Sequence, residues 1–279
     1  MLHSLLLECA SLFAWRVRFF DMFKIIRISV LLFVLAIVAL SSYRSRTKSV
    51  EWQYTLPVNV YPINGDQSAA SEEYIKQLRR EDFLAIEEFI QREKETYGKA
   101  YNAGVEIRLK PALKEGPPAP PPEQNALQVM WWSLKFRWWA YRHAKIVGPD
   151  PQVRLFVQYF DPNKNQVHHS TALQEGLIGR VNLFAGKELS ATNNVVITHE
   201  LLHTLGATDK YDLASDYPDF PDGYAEPNRQ PLLPQRYAEI MGGRIPMTSR
   251  DAIIPPHLGL VRIGTKTAQE INLLAKAAP

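Results

Sequence analysis

The chain has 279 residues, of which 46% are hydrophobic and 22% are charged, and its formal net charge is +3. This composition is typical of a globular protein with one large or two small domains. Seven of the 32 basic residues but two of the 29 acidic ones lie in positions 1–50, so residues 51–279 are slightly acidic. We therefore expect no nucleic-acid partner. The single cysteine, Cys9, excludes a disulfide within the body of the chain.

The N-terminal region contains an apolar segment. Residues 28–40 include one polar side chain, Ser29, and the chain carries no charge from position 28 to Tyr43. A membrane-spanning helix needs about 20 mostly apolar residues, and adding residues 25–27 brings the segment near that length. We predict a basic leader at residues 1–24, a transmembrane signal anchor at 25–43 and a linker at 44–55.

The anchor predicts a single-pass bacterial membrane protein whose body lies outside the cytoplasm, in the periplasm. Basic residues lie on both sides of the segment, so the positive-inside rule barely decides the orientation. A signal peptide that is removed is the alternative, and it predicts a secreted protein. The membrane is thus an expected partner through this helix, and the oligomeric state stays open.

Residues 56–279 are predicted to form one α+β domain with a mixed α/β layer, because strand-like and helix-like apolar patterns alternate along the chain. A long helix is expected to begin at Ser71 and to end at Gly98. Six prolines in residues 111–122 exclude regular structure there and predict a surface loop. The other predicted elements are strands at 57–63, 105–109, 153–160 and 177–184 and a helix at 125–145.

The helix at 125–145 is rich in tryptophan. We predict that these side chains pack on the sheet, because large aromatic residues usually belong to the core. The alternative is a surface that lies on a membrane, aided by basic residues of the same segment. The residues concerned are Trp131, Trp132, Trp138, Trp139, Lys135, Arg137, Arg142 and Lys145.

The strongest chemical signal is the sequence His199-Glu200-Leu-Leu-His203. On a helix, residues four apart project from one face, so both imidazoles can bind one metal ion, and neutral imidazole suits zinc. Glu200 follows a ligand without facing the metal directly, which is the position of a base that deprotonates a zinc-bound water. Apolar neighbours predict that this helix is buried, where unpartnered histidines would be costly: Val195, Val196, Ile197, Leu201, Leu202 and Leu205.

A catalytic zinc ion needs a third protein ligand and one open position. Gly206, three residues after His203, can adopt a positive φ and end the helix. Asp209, three residues further on, is then placed to bring a carboxylate to the metal. Glutamate, for instance Glu239, is the alternative third ligand.

The stretch His199-Glu-x-x-His203-x-x-Gly206-x-x-Asp209 resembles the motif of the metzincin clan of zinc metallopeptidases, in the aspartate form of the snapalysin and immune inhibitor A types. This resemblance implies a metzincin-like domain with a mixed sheet, an active-site helix and a methionine-containing turn below the zinc. Glu239-Ile-Met241-Gly-Gly is similar to that turn, with Met241 as the candidate. Ordinary core packing is the alternative role for Met241.

We therefore predict a membrane-anchored zinc metallopeptidase, an endopeptidase that hydrolyses proteins or peptides with Glu200 as catalytic base and His199, His203 and Asp209 as ligands. The rivals are a peptidase with a glutamate ligand and a tethered scaffold protein with structural zinc. Calcium is a possible second ion, because acidic residues follow Asp209 closely: Asp212, Asp216, Asp219, Asp222 and Glu226. His168, His169 and His257 lack motif support as ligands, and Thr267–Glu270 is predicted to be a capping box.

Overall fold

The N-terminal residues form one long helix, α1 (Leu2–Ser49). The computed structural model describes residues 2–99, 103–121, 125–148, 151–163, 170–173 and 177–275, except for the side chains of 2–23, 41 and 42. The chain divides into two compact units, Met1–Arg44 and Ser45–Pro279. Within α1, Lys24–Ser49 is long and apolar enough to cross a membrane, a property that it shares with signal sequences. The predicted apolar span lies inside this stretch.

A five-stranded mixed sheet organises the second unit. Its strand order is β2-β1-β3-β5-β4, and all neighbours are parallel except β4, which is antiparallel to β5. The four predicted strands are confirmed to within one residue at each end, whereas β4 was not predicted. The strands are β1 (Leu56–Asn64), β2 (Val105–Leu109), β3 (Val153–Phe160), β4 (Thr171–Leu173) and β5 (Ile178–Phe184).

Helices cover both faces of this sheet, so the expected mixed α/β layer is confirmed. Successive residues of a strand point to opposite faces. One face joins the main core with α3 and α5, while the other packs against α4 through Tyr61, Phe156 and Ile178. The helices are α2 (Ala69–Gln77), α3 (Leu84–Thr96), α4 (Ala126–His143), α5 (Ser190–Leu205) and α6 (Thr265–Glu270).

The long helix predicted from Ser71 to Gly98 is in fact two helices, α2 and α3, so that prediction was wrong. The N-cap is Ser68, whose hydroxyl accepts a hydrogen bond from the Ser71 N–H at 3.1 Å. At Arg79 the backbone is extended, and its N–H donates to the Asp82 carboxylate at 2.7 Å. This side-chain acceptor begins a short 3₁₀ turn in place of a continuing helix. Gly98 ends α3 with a φ of +69°.

The tryptophans of α4 divide between two faces, so the prediction that they pack on the sheet is half right. Trp132 is buried and donates its indole N–H to the Pro118 carbonyl at 2.9 Å, and Trp139 packs edge-on against Phe156. Trp131 and Trp138 are exposed to 60% and 62%.

After α5 the chain is mostly irregular and is held by two small strand pairs: Ala238–Glu239 with Val261–Arg262, and Ile245–Pro246 with Ala252–Ile253. The capping box predicted at Thr267–Glu270 was wrong, because α6 begins at Thr265 with Gly264 as its N-cap. The Thr267 hydroxyl instead donates to Glu239 at 2.7 Å. Trp52, from the predicted linker, is buried, and its indole donates to the Ile271 carbonyl at 2.8 Å.

Candidate metal centre

Helix α5 brings the two predicted histidine ligands together. Residues around them, including Leu201, Leu202 and Leu205, belong to the main core, so the helix is buried as predicted. The imidazole rings of His199 and His203 lie with their centroids 4.6 Å apart, and the side chains are 14% and 18% exposed. The two rings therefore lie at the edge of the core and stay accessible from solvent.

Backbone carbonyls fix the tautomer of both rings. Nδ1 of His199 donates to the Ile240 carbonyl at 2.9 Å, and Nδ1 of His203 donates to the Ala207 carbonyl at 2.8 Å. Because Nδ1 is engaged as a donor, Nε2 is the nitrogen of each ring that can bind a metal ion once it is deprotonated. The two Nε2 atoms are 3.0 Å apart. This is the arrangement that metal-binding histidines adopt, with the second nitrogen oriented by an outer hydrogen bond.

Asp209 completes a triangle of donors. Its Oδ1 lies 3.1 Å from Nε2 of His199 and 3.1 Å from Nε2 of His203. Zinc–ligand bonds of about 2.0–2.1 Å give a tetrahedron with edges of roughly 3.3 Å, which is close to the observed separations. Two imidazoles and a carboxylate are also a donor set that suits zinc, so the residues present fit such an ion.

Gly206 makes this triangle possible. It has a φ of +106°, a conformation that favours glycine, and it ends α5 as the sequence predicted. The N–H of Ala207 bonds back to the Leu202 carbonyl at 3.0 Å, which closes the helix end in a Schellman-type turn. The chain thus reverses at the end of α5 and brings Asp209 alongside the two histidines.

The loop that carries Asp209 is anchored on both sides by Glu270 at the end of α6. The Thr208 N–H and hydroxyl donate to this carboxylate at 3.0 and 2.9 Å, and the buried Lys210 ammonium donates at 2.7 Å. The sequence analysis missed this role of Glu270. No local pattern could have revealed it, because the contact spans 60 residues.

Glu200 lies beside the histidines in a buried position. One ligand atom from each of His199, Glu200 and His203 lies within 4.8 Å of the others, so this His-Glu-His group could bind a metal ion. The Asp209 Oδ1 atom lies closer to the two Nε2 atoms, at 3.1 Å from each. The site therefore offers two carboxylates, of which Asp209 is better placed to be a ligand.

Glu239, the alternative ligand, is engaged elsewhere. It is fully buried, and its carboxylate accepts from the N–H groups of Met241, Gly242 and Gly264 at 2.6, 2.8 and 2.9 Å, as well as from Thr267. These bonds hold the turn that contains Met241. In the same turn, the Ile240 carbonyl accepts the bond from His199, and the Met241 carbonyl accepts from the Lys210 N–H at 2.9 Å.

The turn at residues 239–243 thus touches both helix α5 and the Asp209 loop. Met241 is fully buried in the main core.

The charges of the site favour a cation. Burial lowers the pKa of His199, but the hydrogen bond to Asp209 and the charge of Glu200 outweigh it and raise the value to about 9. Burial raises the pKa of Asp209, yet the two histidines hold it well below its usual range. A positive charge placed among these groups is therefore stabilised.

Tyr211 is a further neighbour whose role was missed by the sequence analysis. Its ring centroid is 6.4 Å from that of His199, and its phenol lies within electrostatic reach of the Asp209 carboxylate. Burial and the negative charges of Asp209 and Glu200 raise the pKa of Tyr211 to about 12. The phenol is therefore a protonated hydrogen-bond donor at neutral pH.

Three of the five acidic residues after Asp209 bind groups within the chain. Asp212 accepts from the Ser215 N–H and hydroxyl, Asp216 pairs with Arg244 at 3.0 Å, and Glu226 pairs with Arg236. Across the described ranges, the only place where three such side chains come close enough to share an ion is the site around His199 and His203. His168 and His169 lie outside the described residues, and His257 caps a short 3₁₀ helix at Leu258–Leu260.

No family model and no curated protein sequence matches this chain. Among solved structures, the chain is similar to wild-type OgpA from Akkermansia muciniphila at 16% identity and a TM-score of 0.34. The match covers 77% of this chain and 58% of OgpA, so the chain spans less than two thirds of that protein.

Proposed function

We propose that this chain is a membrane-anchored zinc metallopeptidase of the metzincin type. The observation that carries the proposal is the donor triangle, with Nε2 of His199, Nε2 of His203 and Oδ1 of Asp209 within 3.0–3.1 Å of one another. The mixed sheet, the buried helix α5 and the turn around Met241 are consistent with the domain that the sequence resemblance implies.

Hydrolysis needs a base as well as ligands. A zinc ion in the triangle would supply Lewis-acid chemistry, which acidifies water and polarises a carbonyl group. Glu200 would take the proton from the attacking water and pass it to the amine that leaves when the peptide bond breaks. Tyr211 would donate a hydrogen bond to Asp209 and hold this carboxylate in its orientation.

The openness of the site favours catalysis over structural zinc. Structural zinc sites usually have four protein ligands and are closed, whereas catalytic sites keep one position for water or substrate. Here the side chain of Asp209 is 35% exposed, and both histidines are partly exposed. In the part of the chain that the structure describes, the close ligand atoms come from two histidines and carboxylates. This arrangement leaves room for a substrate.

The apolar stretch Lys24–Ser49 supports a location at the membrane. We propose that it anchors the chain with the body outside the cytoplasm. Protease added to intact spheroplasts is expected to digest the body while the anchor stays in the membrane fraction. Protection of the body from protease would show that the orientation is reversed. A body found in the soluble fraction would instead indicate a protein secreted after signal cleavage.

The peptidase itself is tested with the full chain in detergent. We expect about one zinc per chain and cleavage of a peptide library made from a proteome. Glu200→Gln should keep the zinc and the melting temperature but lower turnover at least about 100-fold, because the base is lost. Glu188→Gln changes an exposed carboxylate and is the matched control. It should leave the zinc content, the melting temperature and the turnover unchanged. Full activity of the Glu200→Gln protein would refute the catalytic proposal.

A further inference from the structure

Helix α4 carries a stripe of exposed apolar side chains. At 3.6 residues per turn its six members fall within an arc of about 100°. Their exposed fractions lie between 49% and 70%. Trp138 and Tyr141 stack on each other with ring centroids 5.9 Å apart. The members of this aromatic stripe are Leu127, Met130, Trp131, Leu134, Trp138 and Tyr141.

The opposite face of α4 explains why the stripe is free to meet a partner. Trp132, Phe136 and Ala140 are buried against the sheet, so the orientation of the helix is fixed. Arg154, on β3, also donates to the carbonyls of Ala140 and Ala144 at the C-terminal end of the helix. Turning the aromatic stripe inward would break this packing, so its exposure is a property of the fold.

The Lys, Arg, Asp and Glu side chains that α4 and the residues after it up to 148 carry are all positive. Residues 126–148 contain four Lys or Arg and no acidic residue, although the body of the chain as a whole is slightly acidic. Lys135 and Arg142 are exposed at one border of the stripe, and Lys135 lies over the Trp131 ring at 5.5 Å. Long basic side chains at such a border can extend to anionic groups while their stems cover apolar surface.

We propose that the aromatic stripe of α4 lies on an anionic lipid bilayer. Tryptophan and tyrosine prefer the level of the lipid headgroups, because one end of each ring is apolar and the other end forms hydrogen bonds. The bordering cations are attracted to anionic headgroups. The same chain also carries an apolar segment able to cross a membrane, which brings a bilayer within reach and raises its effective concentration. These features favour lipid over a protein partner.

The test uses the full chain in lipid nanodiscs. Cys9 is replaced by Ser, and one environment-sensitive fluorophore is attached at Leu134→Cys or, as control, at Leu213→Cys. Leu213 is an equally apolar residue that is 70% exposed in a loop. Lipids with brominated tails should quench the label at 134 severalfold more than the label at 213. The difference should be larger with phosphatidylglycerol than with phosphatidylcholine alone, since each cation strengthens binding about fivefold.

Charge reversal provides the second arm of the test. Lys135→Glu with Arg142→Glu should return quenching at 134 to the control level without changing the melting temperature, because both side chains are exposed. If that protein fails to fold, Trp131→Gln with Trp138→Gln serves the same purpose.

Equal quenching at 134 and 213 would overturn the proposal. Quenching at 134 that is the same with and without phosphatidylglycerol would also overturn it. A blue shift at 134 that appears without lipid and grows with protein concentration would also overturn it, since a second copy would then cover the stripe.

Discussion

Glu239 offers a sharp test of how the site is supported, because its buried carboxylate holds the turn next to the histidines. One oxygen accepts from the N–H groups of Met241 and Gly242, and the other accepts from Gly264 and Thr267. Burial raises the pKa of Glu239, but all four contacts are hydrogen-bond donors, so this pocket suits an ionised carboxylate. Glu239→Gln keeps the size of the side chain but turns an NH₂ group toward two of these donors.

The expected loss of stability follows from the two hydrogen bonds that the NH₂ group cannot accept. A hydrogen bond to a charged group contributes about 1.5–3 kcal/mol, so the loss of two should lower the free energy of unfolding of Glu239→Gln by about 3–6 kcal/mol. For a body of this size the melting temperature should fall by roughly 10 °C. Circular dichroism during thermal and urea denaturation measures both values. Glu188→Gln, which changes an exposed carboxylate, should stay within about 0.5 kcal/mol of the unmodified chain.

The same substitution should also weaken the metal site. The turn presents the Ile240 carbonyl that orients His199, and loss of such an outer contact typically costs 10–100-fold in metal affinity. Competition with a fluorescent zinc chelator measures this affinity. A Glu239→Gln protein with unchanged stability would refute the role of Glu239, and unchanged zinc affinity would separate the turn from the site.

Three further substitutions test the loop around Asp209. Gly206→Ala, at a φ of +106°, should destabilise the chain by about 1–3 kcal/mol in urea denaturation, and an unchanged midpoint would contradict the strained turn. Tyr211→Phe removes the phenol hydroxyl next to the Asp209 carboxylate and should lower zinc affinity about 10-fold with little change in melting temperature. An unchanged zinc affinity in the chelator competition would contradict this role of Tyr211. Glu270→Gln leaves the buried Lys210 without its carboxylate and should cost about 3 kcal/mol, which a melting temperature equal to that of the original chain would exclude.

The parts of the site that sequence could predict are local in the chain. His199, Glu200 and His203 share one helix, so their relative positions follow from helical spacing. Gly206 and Asp209 follow within one turn and one short loop, and the positive φ of the glycine was therefore predictable. The structure places these residues together as the spacing indicated.

The parts that sequence could not predict depend on contacts between distant segments. Glu270 reaches back to Lys210 across 60 residues, and Glu239 bonds to Gly264 across 25. No local pattern encodes such partners. The break between α2 and α3 was also missed, although Asp82, three residues after Arg79, was a local signal for a new helix start.

The exposed tryptophans of α4 illustrate a different limit. A tryptophan-rich helix packs one face against the core, and composition alone does not tell which face that is. Trp132 faces the sheet, whereas Trp131, its neighbour, faces solvent, because adjacent residues on a helix point about 100° apart. Spacing does not decide it either, because apolar residues repeat every four positions on both faces, at 132, 136 and 140 and at 130, 134 and 138.

The central claim is that His199, His203 and Asp209 bind one zinc ion, and metal analysis by mass spectrometry tests it most directly. The full chain is purified in parallel with His203→Ala and with His257→Ala, a histidine outside the site. We predict about one zinc per chain for the unmodified and His257→Ala proteins, and zinc near zero for His203→Ala. Full zinc occupancy in the His203→Ala protein, or no zinc in the unmodified chain, would contradict the account.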